Sequence, residues 1–370
     1  MTRREFLKLS IITVATVATG TTYYVNRPEF GSAPTGDRLA RIQASPHYYG
    51  GQFQCPEPIA DTISGSKLGA MASFLFDDPP RIRPEMPVIS QKTAIASLSQ
   101  REDIAIWLGH SSFYLQLQGY KILIDPVFSS FASPIFFVNK AFPGSNVYGA
   151  QDFSEIDVLV ISHDHWDHLD YPTVKALLPK VKRIVCPLGV GAYLEQWGVQ
   201  ADRLYEDDWY STIPIAPDLA IHILPGQHFS GRFLKQNQTE WAGFAFITPH
   251  CRVFYSGDGG YGAHFADIGA AFGPFDMALM EDGQYNENWS RIHMMPEETA
   301  QASVDVRAKS IVPMHNGKFA LSKHPWDEPY IRLTTASIRK PYRLLTPKIG
   351  EAVYIGRDNQ KFEAWWEQMK

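Results

Sequence analysis

Val158-Leu159-Val160-Ile161-Ser162-His163-Asp164-His165-Trp166-Asp167-His168 is the stretch on which the reading of this chain turns. Its first four residues are apolar and mostly β-branched, the composition of a buried strand. The chain then runs directly into three imidazoles and two carboxylates within six residues. Burying so many ionisable groups unpaired is expensive, and imidazole with carboxylate is the donor mixture that zinc and neighbouring divalent ions accept. A metal site at a strand end is therefore expected. On a turn leaving a strand, the alternate residues His163 and His165 can face one ion while Asp167 and His168 face a second. Two ions about 3.5–4 Å apart share a water acidified for attack on phosphorus or a carbonyl.

At this point the chain resembles the metallo-β-lactamase superfamily, which carries His-x-His-x-Asp-His at a strand end. The rest of that pattern follows in order, each residue after an apolar run: His228 in Leu224-Pro225-Gly226-Gln227-His228, Asp258 in Tyr255-Ser256-Gly257-Asp258-Gly259-Gly260, and His315 in Val312-Pro313-Met314-His315. The resemblance implies an αββα sandwich, two mixed β-sheets flanked by helices. It further implies two zinc ions, one held by His163, His165 and His228, the other by Asp167, His168 and His315, with Asp258 bridging and Asp167 also orienting the nucleophile. Manganese or iron would suit the same donors. Asp125, in Ile124-Asp125-Pro126, resembles the family's acid that orients a metal-bound imidazole, or else simply opens an Asp-Pro turn. His110 has the same two readings.

The words Trp107-Leu108-Gly109-His110-Ser111-Ser112-Phe113, Ile124-Asp125-Pro126-Val127-Phe128, Asp207-Asp208-Trp209 and His315-Asn316-Gly317-Lys318-Phe319-Ala320-Leu321 are similar to the branch containing N-acylphosphatidylethanolamine-hydrolysing phospholipase D and its bacterial relatives. That implies a phosphodiesterase with a phospholipid or small-molecule substrate. A lactonase or other carbonyl hydrolase on the same dimetal site is the alternative, and a non-catalytic metal-binding envelope protein is a second. His293, ahead of Pro296-Glu297-Glu298, matches a position that assists the leaving group, or is a surface histidine before a helix. Two departures from the phospholipase stand out: Gly259-Gly260 after Asp258, and Glu281-Asp282-Gly283, which predicts an acidic pocket loop unfavourable to a doubly charged phosphate. A lipid substrate needs an apolar groove, for which Phe128, Phe131, Phe136, Phe137, Phe142 and Phe229 are candidates, unless they are core.

Further strands are expected at Ile104-Trp107, Phe113-Leu117, Lys121-Ile124, Arg183-Cys186, Ala220-Leu224, Trp241-Thr248, Arg252-Ser256, Asp276-Met280 and Ser310-Met314, with helices at Tyr171-Leu178, Val190-Trp197 and Pro296-Ala308. This domain spans 101–370. Residues 24–100 read as a Pro/Gly-rich arm whose prolines exclude long regular elements. Residues 1–23, with Arg3-Arg4 before Phe6-Leu7-Lys8 and the uncharged run Ile11 to Thr19, resemble a twin-arginine signal or anchor. The twin-arginine export machinery is then a partner, the periplasm the destination, and peripheral membrane contact an expectation. A net charge of −5 argues against a broad basic footprint for nucleic acid. Three scattered cysteines are too few for a disulfide framework.

Overall fold

The computed structural model describes residues 23–24, 26–59, 79–135, 137–232 and 235–369, so the expected leader lies outside the described residues except for Tyr23. Among the described residues no helix is long and apolar enough to cross a membrane.

The arm is more regular than its prolines suggest. Pro34 and Pro46 bracket rather than interrupt a nine-residue helix, α1 (Gly36–Ala44), and a proline outside a helix removes none of its hydrogen bonds. α1 buries Ile42 and turns Arg38 onto Glu206 and Glu195 at 2.7 and 2.8 Å. A minimal hairpin follows, β1 (Tyr48–Tyr49) and β2 (Gln52–Phe53), and Phe53 is fully buried.

Beyond the arm come β3 (Ile104–Gly109), β4 (Ser112–Leu117), β5 (Tyr120–Ile124), β6 (Ile156–Val160), α2 (Tyr171–Leu177), β7 (Val181–Pro187), α3 (Gly191–Gln196) and β8 (Leu204–Asp207). The chain then builds β9 (Thr212–Ala216), β10 (Leu219–Leu224), β11 (Gly243–Ile247), β12 (Arg252–Tyr255), α4 (His264–Phe272), β13 (Met277–Glu281), α5 (Pro296–Asp305), β14 (Ser310–Met314), α6 (Glu328–Ala336) and β15 (Arg343–Leu344). A last strand, β16 (Ala352–Tyr354), returns to pair with β3. Two seven-stranded sheets result, in the orders β16-β3-β4-β5-β6-β7-β8 and β9-β10-β11-β12-β13-β14-β15. Read in those orders, each sheet has three antiparallel pairings and then three parallel ones.

The sheets pack face to face through Phe113, Leu115, Ile124, Val158 and Val160 of the first and Ile221, Ile223, Phe244, Tyr255 and Leu279 of the second. The outer face of the first is covered by α2 and α3 through Val174, Leu177 and Leu194, that of the second by α4 to α6 through Phe265, Ile268, Ala300 and Leu333. Because both faces are covered, β4, β13 and β14 are buried along their whole length rather than alternating. This is the expected αββα sandwich with two mixed sheets. All the expected strands are present. The helices α1, α4 and α6 and the short strands β8, β9, β15 and β16 go beyond the sequence-based expectation, since an edge strand of two to five residues has little pattern to detect.

Candidate metal centre and active site

The ligand-rich loop leaves β6 through Ser162, whose backbone N–H and hydroxyl both donate to Asp125 at the end of β5. Asp125 also accepts from Tyr255 O–H at 2.6 Å and meets His168 Nδ1 at 2.8 Å. With Nδ1 so occupied, His168 turns Nε2 inward. Asp125 thus orients an imidazole rather than merely opening a turn. Asp164, the motif residue with no ligand role expected, accepts from Tyr193 O–H (2.7 Å), Gly231 N–H (2.7 Å) and Thr239 O–H (3.1 Å). Buried Arg232 donates to the Asp164 carbonyl and lies over the Trp166 ring at 4.1 Å. The loop is therefore held on its far side by Tyr193 of the first half and by the segment that follows His228 in the second.

Two donor groups converge at its tip. In the first, His163 Nε2 and His228 Nε2 lie 2.9 and 3.2 Å from His165 Nδ1, and all three can offer a nitrogen to one ion. In the second, Asp167, His168 and His315 come together with His110. Asp258 stands between: Oδ2 is 3.0 Å from His168 Nε2, 4.0 Å from His163 Nε2 and 3.9 Å from His228 Nε2, while Oδ1 is 3.2 Å from His315 Nδ1. All seven residues expected as ligands are brought together in the expected grouping. His110 does more than close a turn, since it is fully buried and its Nε2 meets Asp167 Oδ2 at 2.8 Å.

The arrangement suits cations. His168 Nε2 and Asp258 Oδ1 are buried without a hydrogen-bond partner, a costly state unless an ion takes the lone pairs. Burial disfavours charge on His168, yet Asp258, Asp167 and Asp125 outweigh it and push its pKa well above that of free imidazole. Burial, together with neighbouring imidazoles, holds His163, His228 and His315 well below it, leaving them neutral as ligands must be.

Backbone strain concentrates here. His110, Asp125 and His315 have φ of 54°, 40° and 64°, the left-handed region that costs a non-glycine residue roughly 1–2 kcal/mol. Gly257 (φ 62°) is required where it stands, because a Cβ would lie 2.5 Å from the Ala242 carbonyl oxygen. At Gly260 a Cβ would lie 2.2 Å from the Arg291 carbonyl oxygen, so glycine at this position lets the loop carrying His293 close onto the site.

His293 lies edge-to-face with His228, centroids 5.0 Å apart, and stacks on His315 at 5.1 Å. Its Nδ1 is 2.9 Å from Glu281 Oε1, whose second oxygen accepts from Met294 N–H. Glu281 and Asp282 are both 0 % exposed. The expected acidic pocket loop is thus corrected: these carboxyls are sunk behind the site, one of them against His293, and present no charge to a substrate. Burial and the nearby Asp258 push the Glu281 pKa well above the usual carboxylate range.

Over the donors lies a cavity of about 260 Å³, lined by Phe229, Gln284, Trp289, Ile292, His293 and Leu321 besides His165, Asp167, Asp258 and His315. Of the aromatic residues expected to form a groove, Phe229 alone lines it among the described residues. Phe128 stacks on Phe153 and Phe142 is core, Phe131 lines a separate surface hollow, Phe137 is 71 % exposed, and Phe136 lies outside the described residues. The wall instead comes from Trp289, Ile292 and Leu321, on loops that carry no periodic signal. Gln284 ties two of these loops together, donating to the His315 and Phe319 carbonyls and accepting from Leu321 and Ser322 N–H.

The arm also reaches the site. Glu57 accepts from Ala263 N–H (3.0 Å) and Arg291 (2.9 Å) and exchanges hydrogen bonds with the Gln227 side chain, while Cys55 Sγ donates to the His228 carbonyl at 2.8 Å. Glu57 thereby clasps the three loops that carry His228, Asp258 and His293. All three cysteines are free thiols.

Comparison with known proteins agrees with this geometry. Residues 120–316 match the model of the beta-lactamase superfamily domain. An uncharacterized protein of Mycobacterium tuberculosis is 36 % identical over 98 % of this chain and 99 % of its own length. The N-acyl-phosphatidylethanolamine-hydrolyzing phospholipase D 1 of Caenorhabditis elegans is 32 % identical over 59 % of this chain and 64 % of its own. Among solved structures, the metallo hydrolase Igni18 of Ignicoccus hospitalis superposes with a TM-score of 0.53 at 20 % identity, covering 69 % of this chain and 99 % of that one, which is a likeness of fold.

Proposed function

The chain belongs to the metallo-β-lactamase superfamily and is a metal-dependent hydrolase with a buried His/Asp site; from that premise we propose that it is an exported dinuclear zinc phosphodiesterase of the N-acylphosphatidylethanolamine phospholipase D type. The observation that carries the reading is the pair of donor groups joined by Asp258 on the floor of an apolar-walled cavity. His163, His165 and His228 would hold one ion, Asp167, His168 and His315 the other, and Asp258 would reach both; manganese or iron would suit the same donors. Such a pair supplies an acidified water as nucleophile and offsets the charge that develops on the scissile group.

The chain's own residues do the rest. Asp167, held by His110, presents its carboxylate to the water and fixes the direction of attack. Phe229, Trp289, Ile292 and Leu321 take the apolar part of the substrate and exclude bulk water. Their position favours an acylated substrate met at a membrane surface. No Lys or Arg lines the cavity among the described residues, so a singly charged diester is better accommodated than a dianionic monoester. His293 at the rim delivers a proton to the leaving oxygen. Export rests on the Arg3-Arg4 leader.

The test is metal content of the purified protein alongside hydrolysis of bis(p-nitrophenyl) phosphate and a lactone panel, for wild type and His165→Ala. About two metals per chain with diester turnover lost in the variant is the expected result. Turnover of lactones alone would replace the phosphodiesterase with a carbonyl hydrolase. Two metals without any turnover would leave a metal-binding envelope protein.

A further inference from the structure

Glu281 is the last residue of β13, fully buried, and held at both ends of its own peptide unit: its N–H donates to Ser256 Oγ at 3.0 Å and its carbonyl accepts from Thr299 O–H at 2.9 Å. Neither its charge nor its polarity is needed for packing there, since its neighbours along β13 are Ala278, Leu279 and Met280, all apolar. Its carboxyl is used elsewhere. One oxygen lies 2.9 Å from His293 Nδ1 and the other accepts from the adjacent Met294 N–H at 3.0 Å. The two contacts grip the ring and the backbone that carries it, so the carboxyl cannot rotate without losing one of them. With Nδ1 engaged, only Nε2 of His293 remains to face the cavity.

We propose that Glu281 is the positioning residue of the reaction: its carboxylate accepts from His293 Nδ1–H and keeps Nε2 directed at the leaving group, the imidazolium gives its Nε2 proton to the leaving oxygen, and the ring is left as the neutral Nδ1–H tautomer. The inference rests on the reading of His293 as proton donor. An imidazole free to flip would present a C–H to the substrate part of the time, and a proton donor misaligned by an ångström costs on the order of 10²-fold. The amide of Glu281→Gln is nearly isosteric but has a single acceptor oxygen, so either His293 or the Met294 N–H would face an NH2 group.

The experiment compares Glu281→Gln and His293→Ala with wild type on bis(p-nitrophenyl) phosphate and on diphenyl phosphate, whose leaving phenol is the poorer one, with metal content measured for each protein. Ring ¹⁵N resonances of His293 are recorded on wild type and Glu281→Gln without metal. The expected result is full metal content, a loss of about 10–100-fold on diphenyl phosphate with a much smaller loss on the nitrophenyl ester in both variants, and a single tautomer in wild type that becomes a mixture in Glu281→Gln. Equal losses on both esters in Glu281→Gln, or an unchanged tautomer, would overturn the proposal while leaving His293 in place. Equal losses in His293→Ala would remove the proton-donor reading, and this inference with it. The ring resonances decide the positioning whatever substrate class the enzyme takes.

Discussion

The two sheets share one order of pairings, three antiparallel and three parallel, yet they furnish the site in different ways. In the first, a single loop after β6 carries His163, His165, Asp167 and His168. In the second, the donors are dealt out singly: His228 after β10, Asp258 after β12, His315 after β14. The central strands show the contrast most directly. β5 ends at Asp125, which backs His168 from behind, whereas β12 leads to Asp258, which stands among the ligands themselves. Equivalent strand positions thus carry carboxylates of different duty, and the chemistry lies in the loops rather than in the frame they share. The loop of the first half is braced at Asp164 by the chain that follows His228, through Gly231, Arg232 and Thr239, while the loops of the second half share a clasp from the distant arm.

Removing the joint between the halves should have the largest effect. Asp258→Ala is expected to lower kcat/KM by at least about 10³-fold and to reduce metal content, checked by steady-state kinetics and elemental analysis. Retention of both metals would mean that the two halves bind ions independently.

Next in size is the brace of the first half. Asp164→Ala leaves Tyr193 O–H, Gly231 N–H and Thr239 O–H facing a void and should cost on the order of 3 kcal/mol in urea unfolding. A cost below about 1 kcal/mol would show that Arg232 alone can hold the loop.

The second half has a pH-sensitive point. His264 opens α4, and burial lowers its pKa to about 4, Glu57 opposing only in part. Unfolded, it titrates near 6.5, so between about 4 and 6.5 the unfolded chain binds more protons, and stability rises with pH across that window and falls as pH drops through it. His264→Leu should remove this contribution, on the order of 2 kcal/mol, read as the change in the stability difference between variant and wild type from pH 7.5 to 4.5. A difference that does not vary with pH would place the acid sensitivity elsewhere.

The clasp itself is partly exposed, with Glu57 and Arg291 side chains 36 % and 41 % accessible. Glu57→Ala should therefore cost about 1 kcal/mol or less in stability while lowering kcat several-fold, because the loops carrying Asp258 and His293 lose the carboxylate that ties them to the arm, the backbone bonds to Gln227 remaining. Unchanged kcat would reduce the arm to a cover.

What is legible in the sequence follows the same division. Val158 to His168 announces itself, because so many donors packed within one turn after an apolar strand are too costly to bury without a metal. His228, Asp258 and His315 are individually ordinary and stand out only through their order in a known pattern. Glu281 and the apolar wall escape a local reading for a physical reason: whether a carboxyl faces a pocket or a buried histidine, and which loops fold over a cavity, are settled by tertiary contacts with no local periodicity. Phe142 goes into the core and Phe128 packs half-buried on Phe153 because bulky rings near a sheet bury more area there. The helix α1 is hidden in the sequence because proline position, not proline count, decides where a helix can form.

Glu57 finds its partners 170 to 234 residues further along the chain. Contacts of such span close late, since loop entropy must be overcome before they repay anything. A nascent chain that has not yet been synthesised past Arg291 carries the ligand-rich loop but has no way to fasten the cavity's other side. The arm therefore finds its partners only once residues far beyond the ligand-rich loop are in place.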